Sequence, residues 1–170
     1  MRIELLEGIV RPWRVDDASA LALAAHNRNV WVGLRDLFPH PYTLVDAEAY
    51  LERIASDESA QSYCIEVDGL AAGAIGLKPK DDVHRFTAEL GYWLAEPYWG
   101  RGIATAAVRA FVADRFANLP LQRIFAEVFS NNPGSVRVLE KAGFQFEGRL
   151  RQNVSKDGEI LDSLVYAKVR

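Results

Sequence analysis

The stretch that decides the fold is Tyr98-Trp99-Gly100-Arg101-Gly102-Ile103-Ala104-Thr105, a glycine-rich turn between two regular segments. Hydrophobic patterning predicts a β-strand before it, over residues 86–94, and a helix rich in small residues after it, over residues 103–116. The first N–H groups of a helix have no partner within the helix, and they lie at the positive end of its dipole. The two glycines let an anion approach the backbone, and Arg101 adds a positive charge. The stretch therefore predicts a phosphate site, and specifically one for the pyrophosphate of a cofactor.

Length and composition limit the class of protein. The 170 residues form one domain, residues 1–170, which is long enough to bury a core without disulfides. The formal net charge of −3 gives no basic footprint for nucleic acid. No apolar run approaches the roughly 20 residues of a membrane span, and the N-terminus lacks the apolar core of a signal peptide. The single cysteine, Cys64, fits a reducing compartment, so a cytoplasmic location is expected.

Periodicity and turn signals predict the order of the elements. Asp16 or Asp17 is the expected N-cap of the first helix, and Asp46 that of the second. Pro12 predicts that the first strand lies at a sheet edge or carries a bulge. Asp-Gly pairs at 68–69 and 157–158 predict two hairpins. The predicted strands cover residues 8–14, 62–67, 70–78, 86–94, 122–129 and two runs within 144–170; the predicted helices cover residues 18–28, 47–56, 103–116 and 132–142.

This order predicts the fold class. An antiparallel meander is followed by a strand-helix-strand crossover, so the sheet must be mixed. We expect one α/β domain, of mixed α+β type, with a mostly antiparallel sheet of about seven strands and about four flanking helices.

Residues 29–45 interrupt the periodic pattern with two prolines and clustered aromatic residues. They predict a structured loop or short helical turn that exposes Trp31, Phe38, His40 and Tyr42. Two interpretations stay open. The segment is either a hydrophobic flap packed on the core or the wall that binds an acceptor substrate.

A second constellation is Ser130-Asn131-Asn132-Pro133-Gly134-Ser135. Asn132 precedes a proline, which disfavours helical dihedrals and suits an N-cap, and Ser135 then occupies the third helical position. Gly143 is the expected left-handed residue that ends this helix. Taken alone, the segment is explained by capping. Because two helix starts each follow a strand, neighbouring parallel strands would place both at the sheet edge where ligands gather.

Three segments together resemble the GNAT superfamily of acetyl-CoA-dependent N-acetyltransferases: Leu90-Gly91-Tyr92-Trp93-Leu94, YWGRGIAT and NNPGSVRVLEKAGF. The resemblance covers essentially the whole chain and is greatest to the bacterial ribosomal-protein N-terminal alanine acetyltransferases. The family's pyrophosphate motif, Gln/Arg-x-x-Gly-x-Gly/Ala, falls on residues 99–104. Trp99 stands at the leading position, while the glycine and small-residue positions are intact.

The resemblance implies a sheet splayed at the cofactor cleft, with acetyl-CoA as cosubstrate between two strands. The three histidines show no metal-ligand spacing with one another or with Cys64, so no metal is expected. The resemblance implies that Ser135 lies beside the sulfur and protonates the departing thiolate. It also implies that Asn132 contacts the pantetheine arm. The remaining cofactor-binding residues that it implies are the strand residues Tyr92, Trp93 and Leu94 and the turn residues Trp99, Gly100, Arg101, Gly102, Ile103, Ala104 and Thr105.

Strand alternation adds a candidate base. Thr87, Glu89, Gly91 and Trp93 share one face of the predicted strand, so Glu89 leads into the cofactor site. Burial there would raise the pKa of the Glu89 carboxyl, as a general base requires. The alternative is a solvated or salt-bridged carboxylate. Cys64 is expected to be a buried hydrophobe, which favours direct attack of the amine on the thioester in a ternary complex.

The predicted function is transfer of an acetyl group from acetyl-CoA to a primary amine, at a peptide or protein N-terminus or in a small molecule. Trp31, Phe38, His40 and Tyr42 are the candidate substrate-binding residues. Arg137 and Lys141 either reach the cofactor phosphates or form a solvated face. The family resemblance allows a homodimer. The alternatives are a non-catalytic CoA-binding or regulatory domain, and a phosphate-binding module unrelated to CoA.

Overall fold

A computed structural model describes residues 1–57 and 59–170 as one open sheet with helices on both faces. In this described part the sheet has eight strands: β1 (Ile3–Glu4), β2 (Ile9–Arg11), β3 (Gln61–Val67), β4 (Leu70–Pro79), β5 (Thr87–Leu94), β6 (Arg123–Phe129), β7 (Gln145–Lys156) and β8 (Glu159–Val169). The helices are α1 (Ala18–Ala25), α2 (Arg28–Trp31), α3 (Leu44–Ser56), α4 (Ile103–Asn118) and α5 (Pro133–Lys141). The predicted fold class is confirmed, with one strand and one short helix more than expected.

The strands lie in the order β1-β2-β3-β4-β5-β6-β8-β7. Every neighbouring pair is antiparallel except β5 and β6, so the sheet is mixed and mostly antiparallel as predicted. Both predicted hairpins are present. Asp68 and Gly69 have φ of 53° and 78°, and Asp157 and Gly158 have φ of 53° and 80°. A two-residue turn of this kind needs positive φ at both positions, which Asp-Gly supplies at low cost.

The parallel pair β5–β6 opens into a cleft. Only Thr87, Ala88 and Glu89 pair with β6, where their partners are residues 123–125. Beyond that point β5 continues to Leu94 and β6 to Phe129 without pairing. The cleft is therefore the wedge between the unpaired halves of these two strands, and the predicted splay is confirmed.

Two hydrophobic clusters pack on opposite faces of β5 and hold this strand in place beside the cleft. On one face, Leu90 packs with Phe111 of α4 and Leu139 of α5, and all three side chains are almost fully buried. On the other face, Trp93 packs against a cluster that includes Leu21 of α1, together with residues of α3. Successive strand residues point to opposite faces. The predicted alternation of β5 is thus what the structure shows.

The end of α5 is set by local sequence. Gly143 has φ of 87°, its N–H donates to the carbonyl of Glu140, and the N–H of Phe144 donates to the carbonyl of Leu139. This pair of hydrogen bonds is the Schellman motif, and the accompanying contact between Phe144 and Leu139 is buried in the core. The predicted left-handed stop is confirmed.

Two predicted boundaries are wrong for a tertiary reason. The strand expected over residues 8–14 covers only Ile9–Arg11, and it is not an edge strand because β1 pairs outside it. The helix expected over residues 18–28 ends at Ala25. Asn27 then caps the separate helix α2, since its side chain accepts hydrogen bonds from the N–H groups of Asn29 and Val30.

Of the two predicted caps, Asp46 is wrong, whereas Asp17 is the N-cap residue of α1 but lacks a capping side-chain hydrogen bond. Thr43, not Asp46, caps α3, and Asp46 occupies the third helical position of the same capping box. Asp17 sits at the start of α1 but makes no side-chain cap there. Its carboxylate instead accepts hydrogen bonds from the buried guanidinium of Arg11 at 2.8 and 2.7 Å.

Candidate active site

The glycine-rich turn presents bare backbone at one end of the cleft. Gly100 and Gly102 have φ of 76° and 81°, and a Cβ atom built on either would meet nothing within 4 Å. Gly102 is the N-cap of α4 and provides no side-chain cap. The backbone N–H groups of residues 100–105 find no hydrogen-bond partner among the described residues. An open array of donors at the positive end of a long helix is what a phosphate group requires.

Two side chains shape this turn. The indole N–H of Trp99 donates to the carbonyl of Leu94 at 2.7 Å, which fastens the turn to the end of β5. Arg101 forms an ion pair with Glu7 at 2.5 Å and lies over the ring of Tyr98. The predicted positive charge is therefore present beside the turn, but a carboxylate from the β1–β2 connection holds it.

The start of α5 lies at the same edge of the sheet and follows β6. The Asn132 side chain accepts a hydrogen bond from the N–H of Ser135 at 3.0 Å, so the predicted N-cap is confirmed. This cap orients Asn132 and places Ser135 on the first turn of the helix. The structure thus brings the two predicted helix starts to the mouth of one cleft.

A contact that sequence patterns missed joins the two sides of the cleft. The hydroxyl of Tyr92, on the unpaired half of β5, lies 2.7 Å from Oγ and 3.2 Å from the carbonyl oxygen of Ser135. Burial raises the pKa of Tyr92 to about 12, against a lowering effect of the hydrogen bond with Ser135. Tyr92 therefore stays protonated at neutral pH.

Glu89 lies at the point where the strands diverge, and its side chain is 13% exposed. Arg35 forms an ion pair with one carboxylate oxygen, and Lys80 lies 3.4 Å from the other. The candidate base is thus held between two cations, which is the salt-bridged alternative of the sequence analysis.

A second carboxylate, Glu127, shares this face of the sheet. Phe125 pairs in register with Glu89, and Glu127 is two residues further along β6, beyond the divergence. Glu127 is exposed and makes no ion pair or side-chain hydrogen bond with the described residues. The period-two pattern of β6 could have identified it, because Ile124, Ala126 and Val128 are the buried set.

The segment 29–45 packs on the core, which is the first of the two interpretations left open by its sequence. Tyr42 is only 6% exposed and Phe38 is half-buried, and they pack on the core cluster beneath α1 and α3. The prediction that the segment exposes Tyr42 is therefore wrong, because α1 and α3 close over that ring. Phe38 also meets Trp93 of β5 edge-on at 5.5 Å. His40 remains exposed.

Trp31 is held by contacts with its ring. The ammonium of Lys156, whose side chain is 3% exposed, lies 3.6 Å from the centre of its ring, and His40 stacks on it at 5.4 Å. Lys156 also forms an ion pair with Asp36 at 2.7 Å. Lys156 ends β7, so the tip of the β7–β8 hairpin holds the segment in place. Trp31 is accordingly partly buried.

Further contacts fasten the segment to the cleft itself. Asn27 and Asn29 donate to the carboxylate of Glu96, in the short 3-10 turn before the glycine-rich turn, at 2.8 and 2.9 Å. A Cβ atom built on Gly33 would lie 2.8 Å from Nδ2 of Asn132. No local sequence signal could have predicted that contact, since the two residues belong to separate elements.

The remaining candidates take no part in this arrangement. Burial raises the pKa of Cys64 to about 12, and its side chain is fully enclosed. Arg137 and Lys141 are exposed on α5 and form no ion pair with the described residues. Across residues 1–57 and 59–170, no three His, Cys, Asp or Glu side chains are grouped to hold a metal ion. The helices of this same part are all too short or too polar to cross a membrane.

The fold and the cleft define an α/β protein with two splayed strands and an open array of backbone donors, suited to phosphate, at the mouth of the wedge between them. The sequence model of the acetyltransferase (GNAT) domain matches residues 9–145. A probable N-acetyltransferase of Bacillus subtilis strain 168, YjcK, is 36% identical over 165 residues, which is 93% of this chain and 91% of that protein. The chain belongs to the GNAT acetyltransferase family, and it is an acetyl-CoA-dependent N-acetyltransferase.

Solved structures share the fold over its whole length. RimJ of Mycobacterium smegmatis in complex with CoA-disulfide is 27% identical, with a TM-score of 0.83, and the match covers 99% of this chain and 86% of that one. RimL, a ribosomal L7/L12 alpha-N-protein acetyltransferase in complex with coenzyme A, has a TM-score of 0.87 at 19% identity. That match covers 99% of this chain and 98% of the other.

Proposed function

We propose that this enzyme acetylates the α-amino group of a peptide or protein, which the segment 29–45 presents to acetyl-CoA in the cleft. One observation carries the proposal: β5 and β6 diverge beyond Glu89, and the starts of α4 and α5 meet at the edge that they open. In this arrangement the N–H groups of residues 100–105 hold the pyrophosphate. The β5 backbone from Tyr92 to Leu94 and the Asn132 side chain hold the pantetheine, and Ser135 lies beside the sulfur.

The charges near the point where β5 and β6 diverge, and the pKa of the acceptor, favour an α-amine over a polyamine or a lysine side chain. Arg35 and Lys80 surround Glu89, and the exposed Glu127 balances the remaining positive charge, so these four residues carry no net charge. A site without net negative charge gives a polycation no electrostatic attraction. An α-amino group has a pKa near 7.7–8.0, whereas a lysine side chain has one near 10.4. An α-amine therefore reaches the reactive, neutral state with the least assistance.

The reaction joins the amine nitrogen to the acetyl carbonyl carbon and breaks the bond between that carbon and sulfur. The electron pair of the broken bond goes to sulfur, and the nitrogen loses one proton while the sulfur gains one. A backbone N–H of β5 between Tyr92 and Leu94 is the proposed donor to the developing oxyanion. Ser135 is the proposed proton donor to the departing sulfur, and a proton from solvent restores its hydroxyl.

Glu127 is our proposed acceptor of the amine proton, and Glu89 remains the alternative base. Glu127 is exposed beyond the divergence and has no cation bound to it among the described residues. Glu89 lies between Arg35 and Lys80, which supports a role in holding the segment 29–45 to β5. The two carboxylates thus have different proposed roles: Glu127, which has no cation partner among the described residues, accepts the proton, and Glu89, which has two, holds the segment.

The test measures thiol release from acetyl-CoA with a panel of N-terminal peptides, polyamines and aminoglycosides. We expect peptides to be the best acceptors, and Glu127→Gln to lower kcat by about 100-fold near neutral pH, as for the loss of a general base. This loss should shrink above about pH 8, where the α-amine is already neutral. Glu89→Gln is the matched control and should have the smaller effect. A preference for polyamines contradicts the acceptor class, and wild-type kcat in both Ser135→Ala and Glu127→Gln contradicts the assigned roles.

A further inference from the structure

Among the described residues, the hydroxyl of Tyr92 is the one polar side-chain group of β5 that forms a hydrogen bond with α5. Its only hydrogen-bond partners among the described residues are the two oxygen atoms of Ser135. Tyr92 lies three residues beyond Glu89, where β5 no longer pairs with β6. The contact therefore joins two elements that the opening of the sheet has separated.

The direction of the hydrogen on the Ser135 hydroxyl decides whether Ser135 can donate to a ligand in the cleft. A serine hydroxyl carries one hydrogen and can also accept. If that hydrogen points to Tyr92, it is not available for any other acceptor. If Tyr92 donates to Oγ instead, the serine hydrogen is free to point into the cleft. The Tyr92 hydroxyl has to donate to one of the two oxygen atoms of Ser135, and Oγ is nearer than the carbonyl, at 2.7 against 3.2 Å.

We propose that Tyr92 is a positioning residue whose hydroxyl donates a hydrogen bond to Oγ of Ser135, so that the serine hydroxyl is free to donate to the sulfur of CoA. The inference rests on the proposed function, which places the sulfur beside Ser135. Tyr92 itself does not give up its proton. Its hydrogen bond withdraws electron density from Oγ, which strengthens Ser135 as a donor, and it fixes the side-chain orientation.

The elevated pKa of Tyr92 suits this role. Burial keeps the phenol neutral well beyond the range in which a thiol ionises, which is near 8.5 for a free thiol. Tyr92 can therefore act as a donor throughout the pH range of the reaction.

The experiment uses bound CoA as its own reporter and needs no acceptor amine. Hydrogen bonding from Ser135 stabilises the thiolate, so the bound thiol should ionise at lower pH than free CoA, as the ultraviolet absorbance of the thiolate will show. We expect Tyr92→Phe to reduce the ionisation constant of the bound thiol by about threefold to tenfold, the range of one neutral hydrogen bond. Ser135→Ala should reduce it further, and Tyr92→Phe should add nothing in the Ser135→Ala background.

Tyr166→Phe is the matched control. Tyr166 belongs to the same core and donates to Glu140, also on α5, at 3.2 Å, but it does not touch Ser135. It should leave the thiol titration unchanged, which separates loosening of α5 from loss of the specific contact. In turnover assays Tyr92→Phe should lower kcat by a similar factor with KM for acetyl-CoA unchanged.

The inference is overturned if bound CoA titrates alike in the wild type and Tyr92→Phe, or if Tyr92→Phe has its full effect without Ser135. If Tyr92→Phe changes the ionisation of the bound thiol as expected but the enzyme acetylates no amine, the result counts against the proposed function alone. Failure of CoA to bind would refute both.

Discussion

Gly33→Ala and Gly134→Ala make the same chemical change at two glycines beside Asn132, and the structure predicts effects of opposite sign. At Gly33, the new Cβ would lie 2.8 Å from Nδ2 of Asn132, closer than real Cβ contacts allow. At Gly134, on the exposed first turn of α5, the nearest atom is Oδ1 of Asn132 at an ordinary 3.5 Å. Neither glycine has positive φ, so backbone strain does not distinguish the two substitutions.

The expected magnitudes follow from what each Cβ meets. In Gly33→Ala the Asn132 side chain must move, which lengthens its 3.0 Å hydrogen bond to the N–H of Ser135. Loss of an N-cap costs about 0.5–2 kcal/mol, and we expect Gly33→Ala to destabilise the fold within that range. Gly134→Ala should stabilise it by about 0.5–1 kcal/mol, because alanine is the better helix former.

Urea denaturation of the two variants measures these free energies of unfolding, and thermal melts should differ in the same direction. One kcal/mol corresponds to about 2–4 °C in Tm for a chain of this size. Titration with CoA adds a functional readout, since displacement of Asn132 should weaken binding in Gly33→Ala. Equal stability and equal CoA affinity of Gly33→Ala and the wild type would show that the contact between the segment 29–45 and α5 is not formed.

Three further predictions concern charges and the thiol. Glu7→Gln should release Arg101 toward the phosphates and tighten CoA binding by about twofold to fivefold at low salt, with the gain lost in high salt; equal affinity at all salt concentrations contradicts it. Burial raises the pKa of Asp17, but hydrogen bonds from Arg11 and from backbone outweigh it and hold the pKa below its ordinary value. The contribution of Asp17 to the free energy of unfolding should therefore be fully present above about pH 4 and be lost as acid protonates the carboxylate. Asp17→Asn should lower the free energy of unfolding by about 3 kcal/mol or more at pH 7, and denaturant titrations should show that its stability depends less on acid. Cys64 should resist alkylation by a soluble maleimide in the native enzyme and react after unfolding; rapid native labelling contradicts the buried thiol.

Local chemistry accounts for the features that the sequence predicted well. The Asp-Gly hairpins depend only on the dihedral angles that two adjacent residues accept. The end of α5 at Gly143 and its start at Asn132 are set by neighbours within a few residues along the chain. The glycine-rich turn is predictable for the same reason, because its open backbone follows from the absence of side chains.

Other features depend on residues that are distant in sequence. The position of β1 outside β2, the break between α1 and α2, and the burial of Tyr42 all result from packing against elements elsewhere in the chain. The pairing of Glu89 with Arg35 and Lys80 could not be predicted, because alternation gives the face of a residue and not its partners.

The sequence by itself determined that the chain forms one mixed α/β domain with two helix starts at one sheet edge, since hydrophobic period and turn chemistry are local properties. Only the tertiary structure decided how that edge is built. It brought Tyr92 to Ser135, Gly33 to Asn132 and Lys156 to Trp31, which are contacts between elements separated along the chain. Their physical origin is packing between elements that the chain brings together only on folding; the Tyr92 contact in particular crosses the opening left where β5 and β6 diverge.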